Sequence, residues 1–427
     1  MSSFEQAQTR RSRLKRAVIP DPGPIRTLTK ATLANTVGNG LYMTISVIFF
    51  TRSVGLSNHQ VALGLSIAAA GGVLVNIPAG HLADRRGPRG LAALLLLLEG
   101  VAMAAFAIVH SFDQFLIVSI AGAMCNSAGS SIRLAIMARF GVGEERVRIR
   151  AFQRAVTNFG ISVGTVFAGL ALALDTRSAY VAMVLANALT FVIAAIYVTR
   201  LPEMPVIDVV RTEGNTRLLV VFRDRRYLTA SLLNGLFWTH FAIQSVGLPL
   251  WIVQRTSAPR WWVALLLLVN TTMVVLLQVR FSKGTGDIVV AARAFRRSGL
   301  WIALACVLYA SAEGASPVVA SIVLLTGMVV HTLGELLSSS ASWGIGFGMA
   351  REDLQGQYQG AFSMGRGLIG IFAPLVVISV AVSRGLVGWL ALGAAFVVMG
   401  AAFPPLARSY LREYERAETN HGGGAGD

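Results

Sequence analysis

Along this chain, apolar runs about as long as a bilayer's hydrocarbon core is thick alternate with short charged stretches. A helix rising 1.5 Å per residue needs roughly 20 apolar residues to cross that core. Runs of this kind fall at 30–50, 61–82, 91–110, 115–140, 152–174 and 180–198. The stretch 200–226 then turns polar, with Pro202, Glu203, Pro205, Asp208, Glu213 and several arginines, too charged for a membrane and too short for a domain. Six more runs follow at 227–253, 261–279, 300–312, 317–347, 358–382 and 386–406; the ninth run is short, and Arg296 and Arg297 crowd its start. The pattern predicts an all-α membrane protein with twelve transmembrane helices in two pseudo-symmetric six-helix bundles. The expected units are a cytoplasmic segment at 1–29, a first bundle at 30–199, a cytoplasmic linker at 200–226, a second bundle at 227–407 and a cytoplasmic tail at 408–427.

Composition agrees with lipid as the solvent. Of 427 residues 54% are hydrophobic and only 14% charged, whereas soluble domains carry about 25% charged residues. The net charge of +16 would suggest nucleic acid in a soluble chain, but the basic residues lie between apolar runs with no stacking platform among them. Anionic lipid headgroups are the expected partner, and no nucleic acid. The outside loops receive only Arg52, Arg177, Arg255, Arg260 and Arg384, and nearly all the rest of the 37 Lys+Arg fall inside. That bias places both termini in the cytoplasm of a multi-pass protein of the cell (inner) membrane. The first segment holds Pro20, Pro22 and Pro24 and cannot be the apolar centre of a signal peptide. Cys125 and Cys306 lie inside apolar runs without a CxxC or a His pair, so neither a disulfide nor a metal site is expected, and no cofactor.

Between the second and third runs stands Gly80-His81-Leu82-Ala83-Asp84-Arg85-Arg86-Gly87-Pro88-Arg89. This resembles the loop signature of the major facilitator superfamily, G-x-L-a-D-R-x-G-r-r, at Gly80, Leu82, Asp84, Arg85, Gly87 and Arg89. The resemblance implies a conformational latch in which Asp84 meets the start of the eleventh helix and favours the outward-facing state. The glycines allow close backbone approach, and a carboxylate at a helix N-terminus gains about 0.3–2 kcal/mol. The equivalent loop of the second half, 280–284, has no Asp in that place, so a one-sided latch is expected. Glu144-Glu145 and Glu352-Asp353 stand shortly before the fifth and eleventh runs, each followed fourteen residues on by a polar residue, Asn158 or Arg366. Such an echo fits the internal repeats of secondary transporters.

The fifth run, with Gly160, Gly164 and Gly169, looks like the antiporter signature g-x-x-x-G-P-x-x-G-G, departing from it at Thr165 and Ala168. Close helix packing explains the same glycines equally well; the remaining weight favours a drug:proton antiporter-like branch.

An ionisable group in hydrocarbon costs about 2.5–3.5 kcal/mol and needs a partner, a proton or a cavity. Glu99, Arg133 and Glu335 are the clear cases. Arg133 and Glu335 are expected to pair across the cytoplasmic gate when the protein opens outward, with protonation of Glu335 releasing them; local bonds within each bundle are the other reading. Glu99 is expected to bond a neighbour, or else to carry a proton. Asn35, Asn39 and Tyr42 on the first helix, and Asn234, Trp238 and His240 with Gln244 on the seventh, offer a substrate cavity or interhelical bonds. With few fixed charges foreseen there, strongly ionic solutes are disfavoured.

The expected function is secondary active transport of a small organic solute, most simply proton-coupled efflux by a monomer, with proton-coupled uptake as the alternative. A non-transporting membrane sensor is the alternative from another class, though no tail is long enough for a sizeable soluble domain. No HExxH, Gly-x-Ser-x-Gly or paired Asp motif points to an enzyme.

Overall fold

The computed structural model describes residues 23–204 and 220–422. The first 22 residues of the expected N-terminal segment, most of the linker (205–219) and the last five residues of the tail lie outside the described residues. Within them run twelve long helices: α1 (Pro24–Ser53), α2 (His59–Arg86), α3 (Pro88–Ile108), α4 (Phe112–Ala138), α5 (Glu144–Leu174), α6 (Arg177–Thr199), α7 (Arg225–Arg255), α8 (Trp262–Phe281), α9 (Ile288–Ser311), α10 (Pro317–Gly348), α11 (Glu352–Val382) and α12 (Leu386–Gly422). Eleven are long and apolar enough to cross a membrane. The remaining one, α9, has 24 residues and spans about 36 Å, with Arg293, Arg296 and Arg297 in its first turns. It completes the twelve-helix architecture that the hydropathy pattern predicts.

Local chemistry sets the helix ends. Pro24 opens α1, where its missing N–H is not needed. The side chains of Ser57, Ser111, Thr176, Asp224 and Asp287 each accept a backbone N–H at the start of α2, α4, α6, α7 and α9. The last helix continues through much of the stretch read as a tail, to Gly422. The seventh is irregular: it breaks at Trp238 and makes a π-turn over 243–247 just before Pro249, which has no N–H to give the preceding turn.

Two buried cores give the two bundles, one per half save that Ile77 of α2 packs into the second. On α3 the exposed Leu94, Leu97, Leu98 and Val101 form one stripe, and the buried Leu96, Glu99, Gly100 and Met103 face the bundle. An apolar outer face and a mixed inner face are what a lipid solvent dictates. The halves meet mainly through α2 against α11 and α5 against α8. A smaller cluster, Leu134, Ala138, Val147 and Ala151 with Trp343 and Phe347, joins them near the end of the molecule where α1 begins, hereafter the lower end.

Candidate functional site: the junction of the two bundles

At the lower end the Asp84 carboxylate caps α11. Its two oxygens accept the backbone N–H groups of Gly356 (2.8 Å) and Gln357 (2.9 Å), and Asp84 is only 4% exposed. The backbones approach this closely because neither side has a Cβ: a methyl group on Gly80 would lie 2.0 Å from the Gly356 carbonyl oxygen, and one on Gly356 2.2 Å from that of Gly80. Gln357 also bonds the His81 ring at 2.8 Å. Gly87, at φ 82°, turns the chain into α3. Arg85 is exposed, and Arg89 binds within its own half, donating to the Leu201 carbonyl at 2.9 Å.

The second half answers this contact in a different way. Gly284 donates its N–H to Glu144 at 3.1 Å, and Gly286 presses on the Glu144 backbone so tightly that a methyl group there would lie 2.2 Å from its nitrogen. The acid that the 280–284 loop lacks is supplied by the helix it touches, so the contact is two-sided rather than one-sided. Arg146 adds a two-pronged pair with Glu352 across the halves, at 2.8 and 2.9 Å.

Higher up, the expected partner of Glu335 is replaced by another. Glu335, 2% exposed, pairs with Arg154 of α5, not with Arg133. Its second oxygen accepts from Gln244 (2.8 Å) on the π-turn of α7 and from Asn270 (2.7 Å) on α8. Arg154 also bonds Ser339 and lies 5.4 Å from the Phe241 ring centre. The physical reason is helical phase: Arg146, Arg150 and Arg154 recur every four residues along the face of α5 that meets the second half. Sequence reasoning missed Arg150, which lies ahead of the fifth apolar run, and Arg154, which lies two residues inside it and reads with the cytoplasmic arginines at its start. That spacing of four was the available signal. Arg366 of α11, noted only as part of an echo, lies 5.2 Å from the Trp238 ring centre.

Arg133 belongs instead to the first bundle, in the electrostatic neighbourhood of Glu99. Glu99 accepts from Asn126 at 2.5 Å, the local bond foreseen for it. A cavity of about 220 Å³ between α1, α4 and α5 is lined by Asn35, Asn39, Arg133 and Arg150. A second, of about 370 Å³, holds Asn39, Tyr42 and Glu99, and the two meet at Asn39 and Asn126. Asn234, Trp238 and His240 line only a cleft of about 10 Å³. The six residues expected in one cavity are therefore split between the halves. His240 has His331 at 3.4 Å and Ser338 at 3.5 Å, so neither histidine stands alone.

Of the three glycines on α5, two have a structural task. Methyl groups on Gly160 and Gly164 would lie 2.2 Å from Thr36 Oγ1 and 2.0 Å from the Val37 carbonyl of α1, while Gly169 faces open space.

A family model described as Major Facilitator Superfamily matches residues 29–374. Among solved structures, the human organic anion transporter MFSD10 (TETRAN) is 17% identical, with 92% of this chain and 99% of that one covered and a TM-score of 0.67. A Major Facilitator Superfamily transporter, FucP, in the outward conformation is 18% identical over 92% and 99%, TM-score 0.68. A bacterial homologue of the iron transporter ferroportin in an outward-facing state is 12% identical over 91% and 99%, TM-score 0.71. At such identities these likenesses concern the fold alone. No curated protein sequence matches the chain.

Proposed function

We propose, from the premise that the chain belongs to the Major Facilitator Superfamily and is a secondary transporter, that it moves a small organic solute across the cell membrane by proton-coupled alternating access. In this reading both termini face the cytoplasm, the lower end is the cytoplasmic end, and the Asp84 contact holds it shut while the carrier faces outward. Glu335 carries the proton.

The observation that supports this is the ion pair between Glu335 and Arg154, on opposite bundles and almost dry. Removing one charge of a buried pair costs about 3–5 kcal/mol. A proton crossing the membrane potential supplies about 2.3 kcal/mol per 100 mV, the same order. Protonating Glu335 therefore biases the element whose two arrangements are the closed and open lower end.

Efflux by proton exchange, which the glycines of α5 suggested, draws no separate support from them once Gly160 and Gly164 are occupied in packing. Uptake by cotransport is favoured by Arg150 and Arg366, which add like charge beside Arg154, since neutralising its partner Glu335 raises the positive charge there and so draws a negative solute in together with the proton. Reconstituted vesicles with an imposed pH gradient of either sign and an internal pH dye test both. Proton movement that starts when a solute is added, and disappears in Glu335→Gln, is expected. Solute movement independent of the gradient, or an unchanged Glu335→Gln, would remove the proton from the mechanism; solute leaving against entering protons would restore efflux.

A further inference from the structure

Three buried N–H groups from three different helices have no hydrogen-bond partner, and all three belong to residues lining the 220 Å³ cavity: Asn35 Nδ2 on α1, Arg133 Nη1 on α4 and Arg150 Nε on α5. Buried donors are rarely left unbonded, so three around one space call for an acceptor. The orientation of Asn35 is fixed, because its oxygen already accepts from Asn39 at 3.3 Å.

Charge narrows the acceptor further. Among the described residues no carboxylate lies within 4.0 Å of Arg133 or Arg150. Glu99, the acid in the neighbourhood of Arg133, accepts from Asn126 through one oxygen; its other oxygen is also without a hydrogen-bond partner and makes no bond to Arg133. The guanidinium of Arg150 feels the like charges of Arg366, Arg154 and Arg133, and lies 5.8 Å from the Trp343 ring centre. A neutral carbonyl would satisfy the donors and leave the repulsion; an anion removes both. Guanidinium groups are suited to this because their planar fork matches a carboxylate. The same cavity is walled by Leu28, Leu96, Leu134 and Met137, which suit a compact apolar body.

We propose that this cavity is the solute site and that it takes a small organic carboxylate, the anion held by Arg133, Arg150 and Asn35. The proposal rests on the transporter reading above and reverses the expectation that ionic solutes are disfavoured.

Radiolabelled benzoate and its uncharged isostere benzamide, dialysed to equilibrium against the full chain in neutral detergent, test it. Saturable retention of benzoate but not benzamide is expected, weakened about tenfold or more in Arg150→Gln and in Asn35→Asp, which keeps the volume and adds a repelling charge. Arg150→Lys serves if the glutamine variant does not elute as a single species; it keeps the charge, loses the fork and is expected to bind at an intermediate level. Arg52→Gln, on the far surface, is the control that binds normally. Equal retention of both probes, no saturable retention, or retention indifferent to these variants overturns the site. Benzoate binding without solute flux in vesicles would sink the transporter reading and leave the anion site standing; flux without anion selectivity would do the reverse.

Discussion

Arg154 of the fifth helix and Glu335 of the tenth form a buried ion pair that ties the two bundles together, while Arg133, one helix earlier, takes no part in it. Because each charge is stranded without the other, Arg154→Gln or Glu335→Gln alone is expected to destabilise the closed lower end by about 3–5 kcal/mol, and the double variant by clearly less than the sum. Thermal unfolding of the four proteins in detergent gives the coupling. Additive losses would mean that the two groups do not act on each other. Exchanging the charges as Arg154→Glu with Glu335→Arg should recover part of the loss; Arg133→Glu with Glu335→Arg should recover none.

Close contact between helices, across the bundles or within one, requires hydrogen at particular glycines and not at others. Ala at Gly80 or Gly356 places a methyl group 2.0 or 2.2 Å from a carbonyl oxygen of the other half, and Ala at Gly164 places one 2.0 Å from the Val37 carbonyl. Backbone cannot give way as a side-chain tip does, so each should cost about 1–3 kcal/mol. Gly169→Ala meets nothing within 4 Å and should be neutral or slightly stabilising through better helix propensity. Melting temperatures of this series would discriminate: a Gly169→Ala loss equal to that of Gly164→Ala would contradict the packing account.

The twelve helices were legible because lipid makes the apolar period of each span unambiguous, and α9 was the weak case for the same reason, its arginines diluting the signal. Asp84 was legible because its motif resembles the superfamily's loop signature, and that resemblance implies the start of the eleventh helix as its partner. The pairing of Glu335 was not, since which of several arginines meets it depends on the rotation of α5 and on where that helix begins. An apolar run begins where charge stops, whereas a helix lined by a wet or ion-paired centre begins earlier: α5 starts at Glu144, eight residues ahead of the run. The split of Asn35 and Asn39 from Asn234 and Trp238 likewise depends on how far the halves stand apart, a tertiary quantity.

Arg146 and Glu352 form a second inter-half pair, less sheltered, since the Glu352 side chain is 69% exposed. Its strength should fall with salt, within about 1 kcal/mol in all. Reversing both charges, Arg146→Glu with Glu352→Arg, should restore most of the stability lost in either single variant, and raising the salt should shrink the difference. A loss that persists in high salt would indicate that Arg146 acts chiefly through its bond to the Gly141 carbonyl, 2.9 Å from Nε.

The two lower-end caps are alike in position and unlike in burial, which predicts an unequal response. Asp84 is sheltered and accepts two backbone N–H groups at once; an asparagine there keeps one acceptor and turns an NH2 toward the other donor. Hydrogen bonds to a charged group contribute about 1.5–3 kcal/mol, so a loss near 2 kcal/mol moves the balance between closed and open by about thirtyfold. Glu144 is exposed and makes one such bond at 3.1 Å, so Glu144→Gln should change the balance by about threefold at most. Spin labels at Arg86 and Lys283, exposed and on opposite halves, report the separation. Longer distances should gain population in Asp84→Asn and stay near the parent distribution in Glu144→Gln. An equal response would mean that the closed state depends on the charge at each site rather than on its shelter, and the reverse order would overturn the proposal that Asp84 is the principal latch.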